Sequence, residues 1–215
     1  AIDQEHCLYL TKGVCRLCEK VCTGKAIDFD QKEKVIELNV GAVIISTGYT
    51  QIDPKAIGEY RYGWHPDIIT NLQFERIMVN EFKRPSDGKI PKKVALILCV
   101  GSRALTERAK EHCCKIGCMA AIKQAIVFQK AVPDAEPWIF YQDVRADGKG
   151  YEEFYARARE QNVKFVRGLA AQVIPSNRGL IVKAEDTIAG VPIEENFDLV
   201  VLSTAIIPRP DTEEL

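Results

Sequence analysis

The chain has 215 residues, with 47% hydrophobic and 27% charged residues and a formal net charge of −1. That length buries a real core and holds one large domain or a domain with an appendage. The near-neutral charge speaks against a nucleic-acid or polybasic membrane role; no apolar run approaches the roughly 18 residues of a spanning helix, and no signal-peptide pattern opens the sequence.

Eight cysteines fall into two clusters, at 7–22 and 99–118. Disulfide scaffolds spread their cysteines through a small, loop-rich chain, whereas clustering in a chain with a full core favours metal ligation in a reducing cytosol. The chain opens on Ala1, reaches its first cysteine within seven residues and ends soon after a strand, at Pro208-Arg209-Pro210-Asp211. It is therefore expected to be a segment of something longer, or one half of a split protein.

Residues 1–34 form the first expected unit. Cys15, Cys18 and Cys22 make a C-x2-C-x3-C run, like the ligand run of bacterial ferredoxins, and Cys7 supplies a fourth thiol eight residues upstream. Thr23 stands where ferredoxins usually carry proline. Four thiolates also suit a structural zinc, although zinc sites typically use two C-x2-C pairs on separate knuckles.

Residues 35–50 are expected to be strands returning to a flavin domain. Val35–Leu38 alternates, and Ala42–Tyr49 is apolar and ends in Thr47-Gly48. Asp198–Ala205 repeats that pattern. In disulfide-reductase-like flavoproteins a strand ending in Ala-Thr-Gly brackets the inserted pyridine-nucleotide domain at each crossing. Ser46-Thr47-Gly48 and Ser203-Thr204-Ala205 look like those crossings, while each alone is only a buried strand with a small-residue turn.

Residues 51–206 are expected to be a degenerate NAD(P)-binding-like domain, followed by a tail at 207–215 leading back to the flavin domain. Residues 51–90 are mostly loop, with one helix near 72–81 and with Tyr60, Tyr62 and Trp64 as packing residues. From there strand 94–99, helix 118–131, strand 138–142, helix 151–161 and strand 163–167 alternate, which predicts a parallel sheet with right-handed crossovers. Met119, Ile122, Ile126 and Val127 mark the apolar face of the first helix. Ala171–Pro175 and Leu180–Glu185 predict an antiparallel hairpin before the closing strand at 198–203. The fold class is α/β: a pyridine-nucleotide-disulfide-reductase-like parallel sheet with helices and a hairpin, preceded by a small ferredoxin-like segment.

A nucleotide domain asks for G-x-G-x-x-G after its first strand, and only Gly101 is present. Asp143 at the end of the second strand suits a ribose, but the pyrophosphate lacks its cradle. Cys99, Cys113, Cys114 and Cys118 occupy that strand-to-helix turn instead. Helix N–H groups, Arg103 and Lys115 would stabilise an anionic thiolate-ligated cluster there and favour an added electron. The competing reading is of small buried core thiols. His112 fits a donor beside the cluster or an unusual ligand less well than a surface or capping role. Asp143, Arg145, Lys149 and Tyr151 are placed to meet a neighbouring cofactor or domain, or simply form a loop. Glu152, Glu153, Arg157 and Arg159 follow a solvated helix face, and no hydrolytic triad is evident.

Cys7-Leu8-Tyr9 through Cys22, Ala26-Ile27-Asp28-Phe29, Arg84-Pro85-Ser86-Asp87-Gly88-Lys89, Cys99-Val100-Gly101-Ser102-Arg103, Met119–Ala125 and Asp143-Val144-Arg145-Ala146 resemble the A subunit of heterodisulfide reductase. The resemblance covers nearly the whole chain. It implies a cytoplasmic FAD-containing iron–sulfur flavoprotein with a thioredoxin-reductase-like core. In methanogens such a protein takes electrons from a hydrogenase or formate dehydrogenase and divides them between ferredoxin and the CoM-S-S-CoB heterodisulfide, which partner subunits reduce. The resemblance also implies that Cys7, Cys15, Cys18 and Cys22 ligate a 4Fe-4S cluster, and that Cys99, Cys113 and Cys118 match cysteines of the family. Many members carry a cysteine where Gly117 stands, so Cys114 is the candidate replacement. The glycine-rich FAD motif is not found in the sequence, so this segment is not expected to hold FAD well alone.

Overall fold

The computed structural model describes residues 2–214. The chain divides between Ile45 and Ser46 into two compact units.

The first unit holds two short helices, α1 (Leu8–Lys12) and α2 (Leu17–Val21). Gly13 at the end of α1 is left-handed (φ 71°), and the chain returns to positive φ at Cys15 (105°) and Arg16 (71°) before α2 starts. These left-handed residues turn the chain between the two short helices. Every described side chain from 2 to 45 is exposed or half-buried. What packing exists is a sandwich: the Tyr9 and Phe29 rings lie 4.5 Å apart, with the Arg16 guanidinium 4.8 Å from Tyr9 and 5.5 Å from Phe29.

The second unit is built on a five-stranded parallel sheet, ordered β2-β9-β3-β4-β5: β2 is Ile68–Thr70, β3 Lys93–Val100, β4 Glu136–Tyr141, β5 Lys164–Arg167 and β9 Leu199–Thr204. Parallel strands buried on both faces read as continuous apolar runs, as Val94–Leu98 and Leu199–Leu202 do. Helices α3 (Asn71–Asn80), α4 (Gly117–Ala131) and α5 (Tyr151–Glu160) supply the crossovers. A capping box opens α3: the Thr70 hydroxyl accepts from the Gln73 N–H, and the Gln73 side chain accepts from the Thr70 N–H. Met119, Ile122, Ala125, Ile126 and Phe128 of α4 pack on Val94, Leu96 and Leu98 of β3. On the other face, β6 (Ala170–Ser176), β7 (Gly179–Asp186) and β8 (Val191–Phe197) form an antiparallel sheet. Its Val173, Leu180, Val182 and Phe197 share a core with Ala95 and Ile97.

The α/β class, the sheet and its helices agree with the sequence reading. Four details differ. The expected hairpin gains a third strand, β8, whose proline and three polar residues mask its alternation. Residues 35–38 and 42–48 form no strand: Val35, Val43 and Ile44 are 86%, 77% and 91% exposed, because no described strand pairs with them. Trp64 is 79% exposed instead of packed, lying by the Arg61 guanidinium. Val127, expected on the buried face of α4, is also exposed, because helical spacing puts it with Lys123 on the outer side, away from the buried residues.

Directly after the two proposed crossings, β1 (Tyr49–Gln51) pairs antiparallel with β10 (Ile206–Pro208). The chain therefore enters and leaves the nucleotide-type domain side by side. No described helix is long and apolar enough to cross a membrane.

Candidate metal centres

All eight cysteines are free thiols. In the first unit Cys7 precedes α1, Cys15 occupies the left-handed turn, Cys18 lies in α2 and Cys22 ends it. Cys7 and Cys22 are half-buried, Cys15 and Cys18 exposed. The Ala26 N–H donates to Cys22 Sγ at 3.4 Å. The Arg16–Glu19 ion pair, 2.6 Å long, and the aromatic sandwich brace the turn between the cysteines. The sequence reading named Tyr9 and Phe29 only within the runs that carry the resemblance and gave no role to them or to Arg16; two aromatics and a cation in a segment too short for a core are the signal that was available.

The second set begins with an irregularity in β3. Regular alternation would aim Cys99 toward the same face as Ala95 and Ile97. Instead Cys99 adopts φ 59°, the β3–β9 register shifts between Ile97 and Val100, and Cys99 packs with the α4 side of the core. The bulge re-aims a thiol toward the start of α4. A closed excursion then brings the chain back: Lys110 N–H donates to Gly101 O (2.9 Å), Ala104 N–H to Lys110 O (3.2 Å) and the Ser102 hydroxyl to His112 O (2.5 Å). Cys113 and Cys114 thus return near Cys99 despite their separation in sequence, and Cys118 follows in the first turn of α4, buried.

Backbone N–H groups face these sulfurs: Lys115 N–H donates to Cys113 Sγ at 3.3 Å and Gly117 N–H to Cys114 Sγ at 3.4 Å. Cys118 Sγ lies 3.7 Å from the Asp143 carbonyl. Burial pushes the Cys99 thiol up to about 11; the neighbouring Cys118 and Cys114 add to this and Arg103 opposes it. Burial also raises Cys118, with Cys114 and Cys113 contributing. Arg103 donates from Nη2 to Asp143 Oδ2 at 2.7 Å, while its buried Nη1 has no acceptor among the described residues. That salt bridge holds the Asp143 carboxyl below its ordinary value.

A side chain at 117 has no room, since a Cβ there would stand 2.9 Å from both Cys114 Sγ and Ser203 Oγ. His112 Nε2 lies 2.8 Å from the Ile206 carbonyl, which ties the excursion to β10. Asp143 joins the cysteine side, with Arg167 3.8 Å away as a second cation. Arg145 is exposed, and Lys149 lies with Tyr151 in a separate cleft between α4 and α5. Thr47 and Gly48 are exposed ahead of β1. As they stand, no three His, Cys, Asp or Glu side chains among the described residues are gathered closely enough to hold a metal ion. The donor chemistry nevertheless fits a thiolate-ligated centre in both places: four free thiols, backbone N–H groups on the sulfurs and, in the second, an adjacent guanidinium.

A parallel sheet with helices on one face and an antiparallel layer on the other, entered and left through one ribbon, defines an α/β domain of nucleotide-binding type, here with thiols at the β3–α4 turn where such a domain would carry its glycines. Comparison with known proteins identifies the relatives. The chain is 44% identical over its whole length to the iron–sulfur A subunit of CoB–CoM heterodisulfide reductase from Methanocaldococcus jannaschii, covering 33% of that protein. It is 40% identical to the A subunit of H(2):CoB-CoM heterodisulfide,ferredoxin reductase from Methanothermobacter marburgensis, with 100% and 33% covered. It is 41% identical to the A subunit of ferredoxin:CoB-CoM heterodisulfide reductase from Methanosarcina mazei, with 99% and 27% covered. The chain is therefore homologous along its whole length to the A subunit of heterodisulfide reductase, and spans about a third of the length of those relatives. No protein-family model matches it. Among solved structures, the thioredoxin reductase of T. acidophilum is 14% identical with a TM-score of 0.45, covering 76% of this chain and 43% of that one.

Proposed function

We propose that this chain is an electron-transfer segment of an oxidoreductase of the heterodisulfide reductase type, corresponding to part of its A subunit, with two thiolate-held 4Fe-4S clusters. Cys7, Cys15, Cys18 and Cys22 hold the first; Cys99, Cys113, Cys114 and Cys118 hold the second. The observation that carries the reading is the first unit: four free thiols around left-handed turns, in a fold with no buried side chain among its described residues. A unit of that size lacks the core to stabilise itself, and ligand bonds supply what burial does not. Bound clusters of this kind accept and release single electrons.

The protein's own groups have distinct tasks. Gly13, Cys15 and Arg16 set the turns that aim the first thiols. The Cys99 bulge and the 101–112 excursion assemble the second set, and the N–H groups of Lys115 and Gly117 stabilise thiolate charge. Arg103, anchored by Asp143, adds positive charge beside Cys99. In the parent protein, FAD belongs to the flavin-binding part reached through the β1–β10 ribbon, and the exposed apolar stretch at 35–45 would complete that part. Partners are the other heterodisulfide reductase subunits, a hydrogenase or formate dehydrogenase subunit, and ferredoxin. The parent reaction is reduction of the CoM-S-S-CoB heterodisulfide with electrons divided at the flavin.

An NAD(P)H-reductase reading is disfavoured by packing at the β3–α4 turn: a Cβ on Gly101 would stand 2.0 Å from Ile52 Cδ1 and 3.6 Å from Ile57 Cδ1, so aliphatic side chains fill the space beside that backbone. The alternative of a docking module with zinc or free cysteines is separated by metal analysis. Iron and acid-labile sulfide are measured on anaerobically purified protein, with low-temperature EPR after reduction. Two cubane signals are expected; zinc, or no iron together with NADH binding, overturns the reading.

A further inference from the structure

Beside the second cysteine set, between the N-terminal halves of α4 and α5, lies an open cleft of about 500 Å³. Its charged lining is Lys115, Lys123, Lys149 and Arg157, without a single carboxylate; among the described residues Lys123 alone of these shares its charge with an acid outside the cleft, Glu75 at 2.5 Å. In a chain of net charge −1 that is a local concentration of one sign. Between the cations the surface is apolar and partly open: Ile116 and Tyr151 are 46% and 44% exposed, above Phe154 and the buried Met119. Lys115 and Ile116 directly follow Cys113 and Cys114, and the Lys115 N–H donates to Cys113 Sγ.

From this juxtaposition we propose that the α4–α5 cleft docks a small acidic one-electron carrier protein, so that electrons enter or leave at the Cys113–Cys114 turn. The proposal rests on the cluster assignment made above for that turn. A cationic rim around an exposed apolar centre is the complement of an acidic surface with an apolar patch around its own cofactor, and such steering raises association rates and weakens with salt. In the transfer the reduced carrier loses one electron and the cysteine-held centre gains it; no bond or proton need move. An inorganic polyanion would use the cations but leave the apolar area uncovered, and a nucleotide, whose base could cover part of it, is separated by the competition below.

The test uses the full chain, purified anaerobically, with an acidic bacterial-type ferredoxin as probe and affinity measured at low and high ionic strength. The variant is Lys149→Glu/Arg157→Glu; Lys130→Glu, the same kind of charge change on the last turn of α4 outside the cleft, is the control. Iron content and the EPR spectrum are recorded for each. The double variant is expected to bind at least about tenfold more weakly at low salt, with the salt dependence flattened and the spectrum unchanged, while Lys130→Glu stays near wild type. Equal affinity in the double variant and wild type, no ferredoxin binding by wild type, or displacement of the ferredoxin by ADP at matched charge overturns the docking proposal. A protein without iron whose ferredoxin binding still collapses on charge reversal leaves the surface standing and removes the cluster reading, so the two failures are distinguishable.

Discussion

Arg103 shows how one side chain can set the chemistry around it. Its backbone is left-handed, its Nη2 is fixed on Asp143 at 2.7 Å, and it stands beside Cys99 as a half-buried cation. Replacing it by glutamine removes the charge while keeping a polar head. If the proposed second cluster is bound there, Arg103→Gln is expected to lower its midpoint potential by tens of millivolts, about 60 mV for each tenfold change in a one-electron equilibrium. Potentiometric titration followed by EPR reads the shift, and an unchanged potential would mean solvent already screens the guanidinium. Tyr60 carries a different prediction. Its hydroxyl donates to the Ala170 carbonyl at 2.9 Å, and burial pushes its pKa up to about 12 from 10.0. The unfolded chain ionises first, so this contribution to stability is whole below about pH 10 and is lost as the pH climbs toward about 12. Tyr60→Phe is expected to cost about 1–2 kcal/mol at neutral pH and to flatten that alkaline slope, measured by urea unfolding across the range.

At the scale of elements, the join between the 101–112 excursion and α4 is the sensitive point. Gly→Ala inside a helix ordinarily stabilises by about 1 kcal/mol. At Gly117 the new methyl would meet Cys114 Sγ and Ser203 Oγ at 2.9 Å. Gly117→Ala is therefore expected to displace Cys114 and drop the bound iron to that of one cluster, measured as iron per chain, with the helical circular dichroism retained. Iron at the wild-type level would show that Cys114 is no ligand. The β3 bulge has a comparable role, since without it Cys99 would point to the sheet face carrying β6–β8 and away from Cys118.

Across the whole molecule the two units differ in what stabilises them. The second has two apolar cores on opposite faces of one sheet, whereas the first has no buried side chain among its described residues. Removing iron with a strong chelator is expected to unfold residues 2–45 while leaving the second unit intact. Hydrogen exchange should then show fast amides throughout the first unit and slow ones in β3, β4 and β9. Protection of the first unit after complete iron removal would mean that contacts among Tyr9, Arg16 and Phe29 suffice to fold it. The exposed Val35–Ile45 stretch belongs to this scale too: its pattern reads as strand, but a strand needs a partner, and none of the described residues supplies one.

The residues alone determined the α/β alternation, most helix and strand positions, the two cysteine groups and the missing glycine turn, because each depends on local periodicity or short spacing. Only the tertiary structure decided that Cys99 leaves its strand's alternation, that a closed excursion returns Cys113 to it, that Arg103 is locked by Asp143, and that β8 joins the hairpin. Those outcomes depend on backbone dihedrals and on partners distant in sequence, and periodicity within a single segment carries neither.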